Sequence, residues 1–348
     1  MDGALRPNQA IEEARLLLTI AKPDNLTRDG TKVMFSTGPT LMALDPGGGS
    51  PSEVETFPQP ISCLAAQGGC LAVGLDGGQV LIRGGPHDGA ALSHVAGRAI
   101  VCPTAVAFAD PHTLLLCAGS QLTAPADWRH DLMARNATGS VWRVNLVDGS
   151  AACLADRLAY PYGIGIQPNG DLIVSESWQN QLLRLRANAS PEVALGDLPG
   201  YPARLAPAAN GEGFWLAIFA PRSQLIEFVL REDDFRADMM RECAPDHWVA
   251  PSLRAPQSFL EPLQGGALKQ LGTLKPWAPT RSYGLLVRLD AALRATKSFH
   301  SRADGTRHGV TSCIDVGGSL LATSKGGDVI VSIDLDNTGT DQVHDASD

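Results

Sequence analysis

The chain has 348 residues, of which 44% are hydrophobic, and it contains 36 glycines and 24 prolines. Its 28 basic and 37 acidic residues give a net charge of −9, which argues against a nucleic-acid or anionic-membrane partner. No stretch approaches the roughly 20 apolar residues of a membrane-spanning helix, and the start lacks the pattern of a signal peptide. The 7 cysteines include no C-x-x-C pair, so we expect buried free thiols in a cytoplasmic protein.

A short phrase recurs about six times: a proline, two variable residues, an apolar run, a turn with glycine or asparagine, and a second apolar run. The copies begin at Pro23, Pro60, Pro103, Pro161, Pro202 and, with glycine in place of proline, Gly309. Each phrase is typical of two short strands joined by a tight turn, and a further strand-like run follows each copy. Such an array predicts an all-β protein, a single six-bladed β-propeller over residues 1–348 with three or four strands in each blade.

The two ends of the chain carry different signals. Residues 14–20, before the first copy, are apolar and have the length of a strand. We expect them to form the outermost strand of the last blade, which closes the ring and removes an exposed edge. Glu12 and Glu13 could instead open a short helix. The acidic tail after Leu335 is expected to fray.

Two copies of the repeat are interrupted by insertions. The first, about residues 119–139, carries Trp128, His130 and Asp131, which either overhang the mouth of the channel or lie on an exposed loop. The second, about residues 220–282, contains helix-like pieces separated by prolines and predicts a helical cap over one end of the ring.

Parts of the second insertion are open to more than one interpretation. Residues 225–230 could form an extra strand instead of a helix, because periodicity does not separate the two for so short a run. Trp248 and Trp277 are expected to anchor the insertion to the ring by burying their indole rings.

The run Tyr160-Pro-Tyr-Gly-Ile-Gly-Ile-Gln-Pro-Asn-Gly-Asp-Leu-Ile-Val resembles a stretch of the strictosidine synthase-like proteins. Three further pieces fit that family in order and spacing: Asp197-Leu-Pro-Gly-Tyr-Pro with Gly213-Phe-Trp-Leu, Tyr283-Gly-Leu-Leu-Val-Arg-Leu-Asp, and Val310-Thr-Ser-Cys. The resemblance covers residues 160–333 and implies a six-bladed propeller. The wider superfamily includes gluconolactonase/senescence-marker proteins and arylesterases, which implies a central-channel enzyme that is commonly assisted by a calcium-like ion.

The resemblance places that ion between the residues that follow each repeated proline. A hard dication needs about six to eight oxygen ligands. In this chain the family's channel asparagine aligns with Tyr162, and a later Asp-Asn pair aligns with Ala203 and Arg204. Asp24 and Asn25 keep an oxygen-rich character, whereas Arg204 brings a positive charge to the ion's position. We therefore predict no cofactor and no metal ligands, with a calcium-like ion on a depleted ligand set as the alternative.

The family's condensing enzymes use a glutamate in the last blade, which aligns with Thr311, and threonine does not titrate near neutral pH. The remaining candidate site comprises Asp24, Asn25, Thr104, Tyr162, Arg204, His308 and Thr311. Asp24 or His308 is the candidate general base, and Tyr162 the candidate donor to an oxyanion. Arg204 is the candidate ligand for a substrate carboxylate, with Asn25, Thr104 and Thr311 as further substrate contacts.

Each assignment has a structural alternative. Tyr162 could fill the channel while Arg204 forms a structural salt bridge with Asp24. His308 could be exposed in a turn. Glu176 is expected to pair with Arg184 on the next strand.

Taken together, these features predict an enzyme that hydrolyses a lactone or ester in the propeller channel. The alternatives are a metal-free lyase or condensing enzyme and a non-catalytic module that binds a small acid. The expected partner is a small molecule, with a carboxylate as one candidate and with neither nucleic acid nor membrane involved.

Overall fold

The computed structural model describes residues 3–258, 261–262, 269–270, 273–274 and 280–336 of the chain. Within these ranges, six four-stranded antiparallel sheets surround a central channel as the blades of a propeller. The first described residues form a 3-10 turn (Gly3–Leu5), helix α1 (Ala10–Glu13) and strand β1 (Arg15–Thr19). The predicted all-β, six-bladed fold is confirmed.

The first three blades follow in chain order from the innermost strand outward. Blade 1 consists of β2 (Pro23–Asp29), β3 (Lys32–Thr37), β4 (Thr40–Leu44) and β5 (Ser52–Thr56). Blade 2 consists of β6 (Ile61–Gln67), β7 (Cys70–Leu75), β8 (Gln79–Arg83) and β9 (Ala91–Leu92). A small hairpin of β10 (His94–Val95) and β11 (Arg98–Ala99) precedes the next blade. Blade 3 consists of β12 (Pro103–Asp110), β13 (Thr113–Ala118), β14 (Gly139–Asn145) and β15 (Ala151–Leu158).

The other three blades repeat this arrangement. Blade 4 consists of β16 (Pro161–Ile166), β17 (Leu172–Glu176), β18 (Gln181–Leu185) and β19 (Glu192–Leu195). Blade 5 begins with β20 (Gly200–Pro207) and β21 (Phe214–Pro221). After an insertion that holds the short hairpin β22 (Lys269–Gln270) and β23 (Thr273–Leu274), it ends with β24 (Leu285–Leu289) and β25 (Ala295–His300). Blade 6 consists of β26 (Val310–Asp315), β27 (Ser319–Ser324), β28 (Val329–Asp334) and β1.

The ring is closed by the start of the chain. Strand β1 pairs antiparallel with β28, and Leu16 lies opposite Val331. The predicted closure is therefore confirmed, and the short helix α1 precedes the strand. The innermost strands of neighbouring blades lie against one another around the whole ring, including β26 against β2. Closure joins the two ends of the described chain in one blade and leaves each innermost strand facing the channel.

The blades pack face to face through apolar side chains, as in Leu114, Leu115 and Leu116 of β13, which have no exposed surface. Close approach near the channel depends on a small residue in β16. A Cβ atom on Gly163 would lie 2.4 Å from the carbonyl oxygen of Ala203, so only glycine lets β16 lie this close to β20.

Both insertions leave the ring at the same end. Helix α2 (Trp128–Met133) follows β13, while α3 (Gln224–Val229) and α4 (Asp233–Glu242) follow β21. The last residues of β13 and β21 pair with the first residues of the innermost strands β12 and β20. The insertions therefore lie at the end of the channel where innermost strands begin, and we call this the cap end. Leu132, Met239 and Trp248 pack in one buried cluster with Tyr201 and Phe219. The helical cap is thus confirmed.

Some expectations for the cap and the tail can be compared directly. Helix α3 decides the ambiguous residues 225–230 in favour of a helix. Trp248 is buried as expected, whereas Trp277 and the acidic tail from residue 337 lie outside the described residues. Across the described residues, no helix is long and apolar enough to cross a membrane.

Candidate functional site

A ring of β-bulges turns side chains toward the channel. In all six blades, the register between the innermost and second strands shifts just after the innermost strand begins. A bulge carries an extra residue and re-aims its side chain. The residues in these shifted stretches are Asn25 and Leu26, Ser62, Thr104, Tyr162, Ala203 and Arg204, and Thr311. The positions singled out after each repeated proline therefore coincide with the bulges.

The Arg204 guanidinium closes the channel by touching the innermost strands of the other five blades. Nη1 donates to Asp24 Oδ1 at 2.8 Å, and Nη2 donates to the Ser62 carbonyl at 2.6 Å. Longer contacts of 3.5 Å reach the carbonyls of Thr104 and Thr311. Its central carbon lies 4.9 Å from the centroid of the Tyr162 ring, a cation–π geometry. We call this arrangement, Arg204 with Asp24 and Tyr162, the charged layer.

Lys325 is a second cation on the same carboxylate. Its Nζ lies 2.8 Å from Asp24 Oδ2, while Asn25 N and Thr311 Oγ1 each donate to Oδ1 at 2.8 Å. Burial alone would raise the pKa of Asp24, but the charges of Arg204 and Lys325 and the hydrogen bonds from Lys325 and Thr311 lower it to about 2. The salt bridge expected as a structural alternative is therefore present, and Asp24 is a poor proton acceptor at neutral pH.

Tyr162, in the charged layer, and Lys325, beside it, are both partly exposed to solvent. The Lys325 side chain is 30% exposed, against 4% for Asp24 and 11% for Arg204. Burial raises the pKa of Tyr162, and the charge of Arg204 only partly opposes this shift, so the phenol is protonated at neutral pH and can donate. Burial lowers the pKa of Lys325, but Asp24 more than compensates and the pKa is raised, so the ammonium stays charged.

The other predicted substrate contacts are held within the protein. Asn25 Nδ2 donates to Ser36 Oγ at 2.8 Å and to the Ile61 carbonyl at 3.2 Å. The Thr104 hydroxyl lies 2.5 Å from the Pro161 carbonyl. The Thr311 hydroxyl is engaged with Asp24. These three side chains stabilise the layer and are buried.

His308 is not brought into the charged layer. Its Nε2 lies 2.7 Å from the Arg302 carbonyl and its Nδ1 lies 2.8 Å from Ser282 Oγ. Because a carbonyl only accepts, Nε2 carries the hydrogen and Nδ1 accepts from the serine. The side chain is fully buried, which lowers its pKa, so the expectation of an exposed turn histidine is wrong. With both nitrogens engaged, His308 is unsuited to act as a general base.

Two residues at the cap end, Asp76 and Lys325, are not among those predicted from the sequence. Asp76 and Lys325 each come directly after the second strand of a blade, and each donates its backbone N–H to the residue before the innermost strand, Pro60 and Gly309. Burial raises the pKa of Asp76; the Lys325 charge opposes this, and the charges of Asp127 and Asp24 add to it. Asp76 is only half-buried. A carboxylate in electrostatic reach of Lys325, with a raised pKa, is a better proton acceptor than Asp24.

A positional signal for these residues exists in the sequence. The equivalent positions of the other four blades are Gly38, Gly119, Ser177 and Arg222, where the backbone N–H or carbonyl contacts the same part of the fold. Asp76 and Lys325 carry charges at this position, but so does Arg222, which pairs with Asp197 and Glu227 instead, so the position alone does not identify a site residue.

The expected pairing of Glu176 with Arg184 is wrong. Glu176 does not pair with Arg184, because its oxygens accept from Ala159 N and Gln181 Nε2, both at 2.7 Å. Arg184 lies opposite Ile173, three positions along β17, and pairs with Glu192 at 3.3 Å.

In the first insertion, α2 places its residues differently from an exposed loop. Asp131 is fully buried and accepts from Trp178 Nε1 at 2.8 Å. Trp128 packs edge-on against Phe219, at 5.3 Å between ring centroids, while His130 is exposed. The insertion thus forms part of the cap beside the channel mouth.

The cysteines add no site chemistry in this region. All seven are free, and Cys63, Cys70, Cys102, Cys117 and Cys313 are buried while Cys153 and Cys243 are exposed. Burial raises the pKa of the Cys63 thiol to about 12. Such a thiol is a poor nucleophile.

The donor set does not fit the calcium-like ion that the resemblance implies. The one carboxylate in the layer, Asp24, already binds two cations, Arg204 and Lys325. Asn25 Oδ1 and Ser62 Oγ are buried without a hydrogen-bond partner, but two neutral oxygens fall well short of six to eight ligands. Among the described residues, no group of three or more His, Cys, Asp or Glu side chains is placed to hold a metal ion.

Comparisons with known proteins identify the fold. No family model matches the chain, and no curated protein matches it in sequence. Solved structures do match over almost the full length. A gluconolactonase from Xanthomonas campestris is 13% identical, with a TM-score of 0.57 over 92% of this chain and 88% of that chain. A calcium-binding protein, regucalcin, from Agrobacterium tumefaciens is 13% identical, with a TM-score of 0.54 over 92% of each chain.

A third solved structure belongs to a different class of enzyme. Virginiamycin B lyase from Staphylococcus aureus is 12% identical, with a TM-score of 0.50 over 91% of this chain and 98% of that chain. At such identities the likeness concerns the fold, which is shared by hydrolases and lyases. The chain is a six-bladed propeller with the fold of the gluconolactonases and regucalcin.

Proposed function

We propose that the protein is an enzyme that hydrolyses a lactone or ester of a small organic molecule at the cap end of the channel. The observation that supports this most is that three complementary groups lie at that end, with Lys325 in electrostatic reach of both Asp76 and Tyr162. Asp76 is a half-buried carboxylate with a raised pKa, Lys325 is a charged lysine with a partly exposed side chain, and Tyr162 is a protonated phenol. Base, cation and neutral donor are the groups that water attack on a carbonyl requires.

In the proposed reaction, Asp76 accepts a proton from a water molecule as the water oxygen attacks the carbonyl carbon. The oxyanion that forms is stabilised by the Lys325 ammonium and by the Tyr162 hydroxyl. The bond to the leaving oxygen then breaks, and Asp76 returns the proton to the alkoxide. The product is a hydroxy acid, or an acid and an alcohol, and Lys325 attracts its carboxylate.

Asp24 and Arg204 take a positioning role in this proposal, not the base and substrate-binding roles expected of them. Asp24 holds Lys325 at 2.8 Å and is itself held by Arg204 at the same distance. A fixed ammonium stabilises a transition state without the reorganisation that a mobile lysine requires.

A non-catalytic module that binds a small acid is the second candidate. This candidate is favoured by the excess of positive charge around Asp24, because two cationic side chains, Arg204 and Lys325, share this one carboxylate. A lyase or condensing reaction has less support, because Thr311 stands where the family's glutamate aligns and is hydrogen-bonded to Asp24. We place either activity in the cytoplasm, since all seven cysteines are free thiols.

The test is hydrolysis of a panel of five- and six-membered lactones and aryl esters, followed by proton release. We expect Asp76→Asn to lower kcat by about 10²–10⁴-fold, the usual contribution of a general base. Asp29→Asn is the matched control, because Asp29 is the last residue of β2, at the opposite end of the channel. Saturable binding of small carboxylates by calorimetry, with no turnover of any substrate in the panel, would favour the binding module instead.

A further inference from the structure

A cavity lies on the side of the charged layer that faces away from the cap end. It has a volume of about 440 Å³ and is lined by the innermost strands of all six blades. The lining includes Leu26 in β2, Leu64 in β6, Val106 in β12 and Ile164 in β16, and it begins at the level of the bulge residues Leu26 and Arg204. Innermost strands begin at the cap end, so their later residues lie at the opposite end of the channel. We call the cavity between these later residues the rear cavity.

Apolar side chains form the larger part of the walls of the rear cavity. Leu26 is 8% exposed, and Leu64, Val106 and Ile164 are each 7% exposed, whereas Leu115 in the interior of blade 3 is 0% exposed. Each of these side chains therefore keeps one edge toward the cavity. Rigid strands prevent the walls from collapsing, so apolar surface stays in contact with solvent unless a ligand covers it.

The charged residues of the wall are bound within the protein, Arg204 by a carboxylate and the two rim residues by neutral groups. Arg204, at the inner end, is bound by Asp24 and by backbone carbonyls. At the rim, Arg28 Nε donates to the Gly30 carbonyl at 3.0 Å, and Asp315 Oδ2 accepts from Trp215 Nε1 at 3.2 Å. At the inner end, a charged ligand would lose its hydration and could gain only the buried Arg204 Nε donor, which has no hydrogen-bond partner.

We propose that the rear cavity is a binding site for a small, uncharged, apolar molecule, such as an aromatic ring system or a short branched hydrocarbon. Its volume lies in the range of about 300–1,000 Å³ that small-molecule sites occupy. The charged layer closes its inner end, so the site is separate from the cap end and does not depend on the proposed hydrolysis. Binding replaces water on the walls by apolar contacts, which is favourable without any directed hydrogen bond.

The test is a fluorescence titration of the purified protein with N-phenyl-1-naphthylamine, an uncharged probe that brightens in apolar surroundings. We expect saturable, stoichiometric binding to the wild type. Two variants reduce the cavity in different ways: Ala65→Phe fills it from β6, and Ile166→Arg places a charge at its rim, where Ile166 is 36% exposed. Each is expected to weaken binding by about tenfold or more.

Ala152→Phe is the matched control, since Ala152 is an exposed residue of the outermost strand β15, and it is expected to bind the probe like the wild type. Thermal unfolding verifies that each variant is folded, and the rim variant carries the test if the filled variant does not fold. The proposal is overturned if the wild type shows no saturable binding, or if a folded cavity variant binds as tightly as the control. It is also overturned if Lys325→Met, at the cap end, abolishes probe binding while these cavity variants retain it.

Discussion

Replacing Asp24 by asparagine removes the charge that holds two cations in the channel. The isosteric amide keeps the space filled but leaves Arg204 and Lys325 as like charges without their common partner. The lowering of the Asp24 pKa from 3.8 to about 2 corresponds to roughly 2–2.5 kcal/mol of net favourable interaction, since one pKa unit is about 1.4 kcal/mol. Unpaired buried cations add to this loss, and breaking a buried pair costs about 3–5 kcal/mol.

The assay is equilibrium urea unfolding at neutral pH, with Asp45→Asn as the matched control. Asp45 pairs with Lys32 at the same 2.8 Å distance, but the two side chains are 64% and 51% exposed. Exposed pairs contribute about 0–1 kcal/mol, so the control is expected to lose little stability. If Asp24→Asn lowers the unfolding free energy no more than Asp45→Asn does, the reasoning about the charged layer is refuted.

The same pair of variants has a defined pH dependence. A carboxyl group with a lowered folded-state pKa stabilises the protein above its unfolded pKa of 3.8 and loses that contribution as pH falls toward about 2. The stability difference between the wild type and Asp24→Asn is therefore expected to shrink below about pH 4. A difference that stays constant from neutral pH to pH 2 would contradict a charge-based effect.

Two further changes test the scaffold. Burial lowers the pKa of His300 to about 4, so this histidine binds a proton more readily in the unfolded protein than in the folded protein. The free energy of unfolding should therefore fall by up to roughly 3 kcal/mol as the pH drops from 7 to 4. His300→Gln should flatten that slope in urea unfolding, and an unchanged slope would exclude His300 as its source. Gly163→Ala places a Cβ 2.4 Å from the Ala203 carbonyl and should cost about 2 kcal/mol or more, whereas Gly196→Ala, whose Cβ would lie 3.7 Å from its nearest neighbour, should be nearly neutral. Equal melting temperatures for these two alanine variants would show that β16 has room to move.

Local sequence predicts the scaffold well because its repeats are local. Each proline-led phrase becomes the first two strands of a blade, and the apolar run before the first phrase becomes β1, which pairs with β28. The positions of Tyr162 and Arg204 could also be located, because their bulges follow the same phrase.

The chemistry of the site depends on contacts that cannot be predicted from the local amino-acid sequence. His308 is buried with its nitrogens bound to the Arg302 carbonyl of its own loop and to Ser282, which lies 26 residues earlier in the chain. Asp76 belongs to a turn in the sequence, and only the blade geometry brings it within electrostatic reach of Lys325, which lies four blades later in the chain. Glu176 lacks the expected partner because the register places Gln181, not Arg184, opposite it.

The measurement that tests the proposed site most directly is the rate of lactone hydrolysis against pH, in protein stripped of metal by a chelator. We expect turnover to persist and to fall at acid pH through a single group whose pKa lies above the ordinary 3.8, because burial raises that of Asp76. Asp76→Asn should remove both the turnover and this acid limb. Turnover that appears only after calcium is added, or an acid limb that survives in Asp76→Asn, would contradict a site built from Asp76, Tyr162 and Lys325.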